Sequence, residues 1–220
     1  MIIVIGDSHV QQFIGKPSRL PGYPKFVERE PFKTFWIGPR TCWKVLPERA
    51  PLVETILRDH WREGDWMVFS FGEIDMRRHV LPHVTEDRPI EKVAIEVGRR
   101  YLDLLRQYSA HNPIALGLPP QKDALQEDYD PRGTVEERKL ATKAFNGVLE
   151  RGWVRYWPSP GWAIECMSDR VHCRGDSARD WFVKRAKELP DEASRHHLSS
   201  HAGVRQGVQL CVGDSQANDE

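Results

Sequence analysis

Met1-Ile2-Ile3-Val4-Ile5-Gly6-Asp7-Ser8-His9-Val10 opens the chain, and its reading decides the fold. Ile2 to Ile5 are four consecutive β-branched apolar residues. Such a run is too short for a helix and fits a strand buried on both faces, the mark of a central parallel strand. Gly6 ends the run with a sharp turn, and Asp7 or Ser8 can then cap a following helix. A hydroxyl is thereby delivered to the carboxyl end of a buried strand, the edge at which open α/β sheets bind ligands. Asp-Ser after a strand is also an ordinary helix cap, so this stretch alone leaves capping and catalysis both open.

Two further motifs bear on that choice. Gly72-Glu73-Ile74-Asp75 ends a second apolar run, Trp66 to Phe71, in the middle of the chain. Asp169-Arg170-Val171-His172 sets a carboxylate and an imidazole three residues apart near its end. The order Gly-Asp-Ser, then Gly-x-x-Asp, then Asp-x-x-His resembles the SGNH (GDSL-like) hydrolase family across roughly residues 1 to 185. Gly-Asp-Ser recurs at Gly175-Asp176-Ser177 and Gly213-Asp214-Ser215, but neither copy follows a convincing buried strand.

Composition bounds the function classes. At 220 residues the chain suits one domain with a substantial core. Lys plus Arg and Asp plus Glu both number 32, so no global basic field points to nucleic acid or to anionic lipid. Cys42, Cys166, Cys173 and Cys211 form neither a CxxC pair nor a zinc-ligand spacing, and they are read as reduced thiols with no metal. No basic segment precedes the first strand and no apolar run approaches the roughly 18 residues of a membrane span. A cytoplasmic protein without a membrane partner is expected. Its oligomeric state is not legible.

Strands and helices alternate along the chain. Lys33 to Ile37 reads as the second strand, and Leu52, Val53, Ile56, Leu57 and Trp61 share one helical face. Trp66 to Phe71 reads as the third strand; from Ile90 a stripe of Val93, Ala94, Val97, Tyr101, Leu104, Leu105 and Tyr108 marks a core-facing helix. Pro113 to Leu118 and Val154 to Trp157 read as the fourth and fifth strands. Thr134 with Glu137 makes a capping box for a helix through about Leu149. Gly15 to Pro24, rich in Pro and Gly, and the segment from Pro119 to Gly133 read as loops at the site edge. A closing helix is expected over residues 177–189.

Right-handed βαβ crossovers then imply a three-layer α/β/α sandwich around a five-stranded parallel sheet, the flavodoxin-like arrangement of SGNH hydrolases. Residues 1–189 form the expected hydrolase domain, and residues 190–220 the expected mobile tail.

The chemistry follows from residue types. A serine hydroxyl needs a base, and imidazole is an efficient one near neutral pH. Asp169 can orient His172, so the expected triad is Ser8, His172 and Asp169. The Ser8 N–H is one candidate oxyanion donor, and the family resemblance implies Gly38 N–H as a second. Where that family carries a donating asparagine, in Gly-x-Asn-Asp, this chain has Ile74, which has no side-chain donor.

Asp7, Gly72, Glu73, Asp75, Arg77 and His79 are candidates for binding substrate or shaping the site. Arg77 could hold Asp75 or an anionic substrate group. Asn146 is a further, weaker candidate for contacting substrate. Gly-Glu-Ile-Asp-x-Arg looks like a variant seen in SGNH-like proteins linked to glycan modification. The resemblance therefore implies an esterase for small acyl groups, acetyl among them, on a small-molecule or glycan ester, with no cofactor. Acyl transfer by the same triad, and a degenerate module that binds a glycan or protein partner, are the alternatives. A nucleotide-binding module is disfavoured because no Gly-rich phosphate loop follows a strand.

Overall fold

In the computed structural model, the described residues are 1–15, 25–42, 44–119, 121, 131–159 and 176–190. The chain runs β1 (Ile2–Gly6), α1 (Gln11–Ile14), β2 (Lys25–Arg29), β3 (Phe32–Trp36), α2 (Val45–His60), β4 (Trp66–Ser70), α3 (Ile90–Gln107), β5 (Pro113–Leu116), α4 (Val135–Glu150), β6 (Arg155–Trp157) and α5 (Asp176–Lys187). The sheet order is β2-β3-β1-β4-β5-β6. Five strands, β3-β1-β4-β5-β6, are parallel, in the flavodoxin-like order.

The expectation of five strands is corrected by β2, a sixth, which pairs antiparallel with β3 in the register Lys25↔Trp36 to Arg29↔Phe32. Its charged residues Lys25, Glu28 and Arg29 and its place between Pro24 and Pro31 hide it from an apolar-run reading. The same charges suit an edge strand, since they discourage pairing with a further chain. Phe26 anchors β2 by stacking on Phe35, with ring centroids 4.8 Å apart.

β1 is buried along its whole length, and its alternate side chains serve two half-cores. Ile3 and Ile5 join Met67 and Phe69 of β4 under α2, α3 and α4. The helical stripe read from Val93 to Leu105 is buried there, and the Tyr101 hydroxyl donates to the Phe69 carbonyl. On the other face Phe13 of α1 packs on Phe32 and on Phe182 of α5, with centroids 5.2 and 4.3 Å apart. The Thr134–Glu137 capping box is formed at the start of α4. Of the segment 190–220, read as a tail, residues 191–220 lie outside the described residues.

Gly6 is set by space. A Cβ there would lie 2.5 Å from the Ser70 carbonyl oxygen and 2.8 Å from both Ser70 Cβ and Val10 Cγ1. Only a glycine lets β1, β4 and the following turn meet this closely. Gly6→Ala should therefore destabilise the protein by about 1–3 kcal/mol, the range for overpacking. Urea denaturation checks this, and a loss below about 0.5 kcal/mol would contradict it.

Candidate active site

Sheet register fixes the site before any side chain is considered. Gly6 pairs with Trp36 of β3 on one side and with Ser70 of β4 on the other. Ser8, Gly38 and Gly72 each follow by two residues one of these three aligned positions, Gly6, Trp36 and Ser70. The Asp7 N–H donates to the Ser70 carbonyl (3.2 Å), and the Ile37 N–H to the Gly6 carbonyl (2.9 Å), carrying the alignment past the strands. This edge lies at the topological switch point, where β1 has neighbours reached by opposite crossovers.

Ser8 is half-buried and begins a single 3₁₀ turn, Ser8–Val10. Asp7 caps that turn by accepting from the His9 N–H at 2.9 Å. Gly38 and Gly72 have φ of 94° and 111°, in the region that favours glycine. At Gly72 a Cβ would also meet Phe145 Cζ at 2.9 Å.

Two carboxylates, an imidazole and a guanidinium then form a buried polar chain beneath the turn. His9 Nδ1 lies 3.0 Å from Asp7 Oδ1, and His9 Nε2 lies 3.9 Å from Glu73 Oε2. Arg77 holds Glu73 with two hydrogen bonds, Nε to Oε1 at 2.8 Å and Nη2 to Oε2 at 3.2 Å. All four residues are less than 8% exposed. The carboxylate that Arg77 holds is thus Glu73's and not Asp75's. Leaving either partner of such a pair alone in the interior typically costs about 3–5 kcal/mol, so this chain ties the Ser8 turn to the segment after β4. The Glu73–Arg77 spacing of four residues on a helical turn was readable in the sequence, whereas the link through His9 joins residues too distant in the chain.

Asp75 is buried at the first position of a single π-helical turn, Asp75–His79. Its Oδ2 accepts from the Cys42 N–H at 2.9 Å, tying the loop after Gly38 to the end of β4. Burial pushes its carboxyl up from the usual 3.8 to about 7, against the lowering effect of the Cys42 hydrogen bonds. Burial, with the Asp75 carboxylate beside it, also pushes the Cys42 thiol up, which disfavours its thiolate.

His79 is exposed at the end of the π turn, and partial desolvation with the neighbouring Arg78, His83, Lys44 and Arg77 pushes its pKa down. Ile74 is half-buried and lines a cavity of about 220 Å³ with Pro39, Arg40, Thr41, Lys44 and His79. Asn146 clamps the backbone of Leu118, accepting from its N–H (2.8 Å) and donating to its carbonyl (3.0 Å). Its amide is thus engaged in fixing the segment after β5. Asp169 and His172 lie outside the described residues, as do Cys166, Cys173 and Cys211. Ser177 of the second Gly-Asp-Ser copy lies in the first turn of α5. Among the described residues no cluster of three or more His, Cys, Asp or Glu side chains could hold a metal ion, and no helix is long and apolar enough to cross a membrane.

The raised Asp75 carboxyl makes stability depend on pH. The folded protein holds this proton more tightly than the unfolded chain does, so the contribution is fully present below pH 3.8 and is lost as pH rises to about 7. Wild type should lose stability relative to Asp75→Asn across that window, and the difference should level off above it. Paired denaturation curves across the window check the sign; a constant difference would contradict the assignment.

No family model matches the sequence, and no curated protein sequence matches it significantly. The structure is similar to the inhibitor-bound aryl esterase of M. smegmatis, with a TM-score of 0.53 and 14% identity over 85% of this chain and 96% of that one. An acetyl xylan esterase aligns with a TM-score of 0.47 and 11% identity over 86% of this chain and 100% of the other. A lipase/acylhydrolase from Enterococcus faecalis aligns with a TM-score of 0.44 and 14% identity over 85% and 95%. With five parallel strands in flavodoxin-like order and a Gly-Asp-Ser turn at the end of the central one, the chain has the fold of the SGNH, or GDSL-like, hydrolases.

Proposed function

We propose that the protein is a serine esterase of the SGNH type that removes a small acyl group, such as acetyl, from a carbohydrate ester. The observation that carries this reading is the placement of Ser8 two residues past Gly6, whose register partners Trp36 and Ser70 stand two residues before Gly38 and Gly72. Ser8 is the nucleophile, His172 the base and Asp169 the residue that orients it. Ser8 Oγ attacks the ester carbonyl carbon as His172 takes its proton, and the oxyanion forms against the Ser8 and Gly38 N–H groups. His172 then gives the proton to the leaving sugar oxygen. Water, activated by the same histidine, releases the acid and restores Ser8. An acceptor hydroxyl in place of that water would make the same site an acyltransferase.

Ile74 favours a second reading, a module of the same fold that binds a glycan without cleaving it, because an isoleucine adds no donor to the oxyanion site. Hydrolysis of p-nitrophenyl acetate separates the two. Ser8→Ala and His172→Ala should each lower kcat/KM by at least about 1,000-fold. Ile74→Asn should raise kcat, by up to about 100-fold if the new amide reaches the oxyanion. Wild-type activity no greater than that of Ser8→Ala would favour the binding module.

A further inference from the structure

The sequence motifs give His9 no role, but the structure buries its imidazole between two carboxylates of the site. Its Nδ1 stands 3.0 Å from Asp7 Oδ1, the same oxygen that accepts from the His9 backbone N–H at 2.9 Å. A carboxylate oxygen only accepts, so Nδ1 carries a proton and donates it. Nε2, at 3.9 Å from Glu73 Oε2, is too far for a direct hydrogen bond. Of the two carboxylates, Asp7 is the one that fastens the ring.

Ser8 stands inside that fastening. The bond from the His9 N–H to Asp7 Oδ1 closes a loop in which Ser8 is the one complete residue, so it restrains both backbone torsions of Ser8. Such a turn holds only while the carboxylate keeps its angle, because rotation of the Asp7 side chain releases the N–H. The ring of His9 supplies a second donor to the same oxygen and opposes that rotation. Asp7 and His9 are both buried, so water competes little for either bond. The direction of the Ser8 N–H, and of the bond that carries its hydroxyl, is thereby set by the His9 side chain as well as by Asp7.

We propose that His9 is a positioning residue for the nucleophile, its Nδ1–H locking the Asp7 carboxylate and, through it, the Ser8 hydroxyl and N–H in the geometry of attack. The effect on rate rests on the esterase reading; the lock itself does not. Two measurements on wild type, His9→Asn, His9→Gln and His9→Leu test it: p-nitrophenyl acetate kinetics, and hydrogen exchange of the residue 9 backbone amide by NMR. Asparagine places an amide N–H where Nδ1 stands, glutamine carries it one bond farther, and leucine has none. His9→Leu and His9→Gln should lower kcat by about 10- to 100-fold with KM within about 2-fold of wild type, and should speed exchange at residue 9. His9→Asn should stay within about 5-fold in kcat and keep that amide protected. Equal kcat in the three variants, a loss confined to KM, or wild-type exchange in His9→Leu would overturn the proposal. If His9→Leu does not fold, the contrast between His9→Asn and His9→Gln decides in the same way. Wild-type hydrolysis no faster than that of Ser8→Ala would overturn the esterase reading, and the exchange rates alone would then support or overturn the lock.

Discussion

The close approach of β1 and β4 at Gly6 is the constraint on which the site depends. The Ser70 carbonyl sits where a side chain on residue 6 would have to go, and it accepts from the Asp7 N–H immediately afterwards. With β3 in register on the other side, that contact brings three chain ends out of the sheet at one height. Ser8, Gly38 and Gly72 leave the sheet at the same edge because of backbone pairing; no side chain is needed to bring their strands there. Side chains do the second job, which is to stop the emerging loops from moving independently.

Two buried polar links perform that job. Asp7, His9, Glu73 and Arg77 join the Ser8 turn to the segment after β4. Asp75 joins the same segment to the loop after Gly38 through the Cys42 N–H. Most of the polar residues that crowd the site are thus engaged in framing it. An oxyanion site needs donors held rigidly where charge will develop, and buried polar groups that link separate segments contribute to that rigidity.

Much of the fold was legible because its signals are local. The unbroken apolar runs of β1 and β4, the helical stripe of α3 and the Thr134–Glu137 cap each state their element within a few residues. β2 was not legible, because an edge strand that must resist pairing carries the charges and flanking prolines of a loop. Within the site, the placement of Ser8 after a buried strand could be read directly. The partners of its polar neighbours could not: the Asp7–His9–Glu73 link and the Asp75–Cys42 bond join separate elements, and pairing across elements leaves no spacing in the sequence. For the same reason Asn146 looked available to substrate and turned out to be occupied by the Leu118 backbone, whereas the Glu73 partner of Arg77 stands only four residues away.

The central claim is that Ser8 is an activated nucleophile, and covalent labelling tests it most directly. The protein would be treated with a fluorophosphonate and the modified residue mapped by peptide mass spectrometry, with His172→Ala as the comparison. The account predicts one adduct, on Ser8, formed far more slowly in the variant because the hydroxyl has lost its base. An unmodified Ser8 in the wild type, or equal labelling of the two proteins, would contradict it.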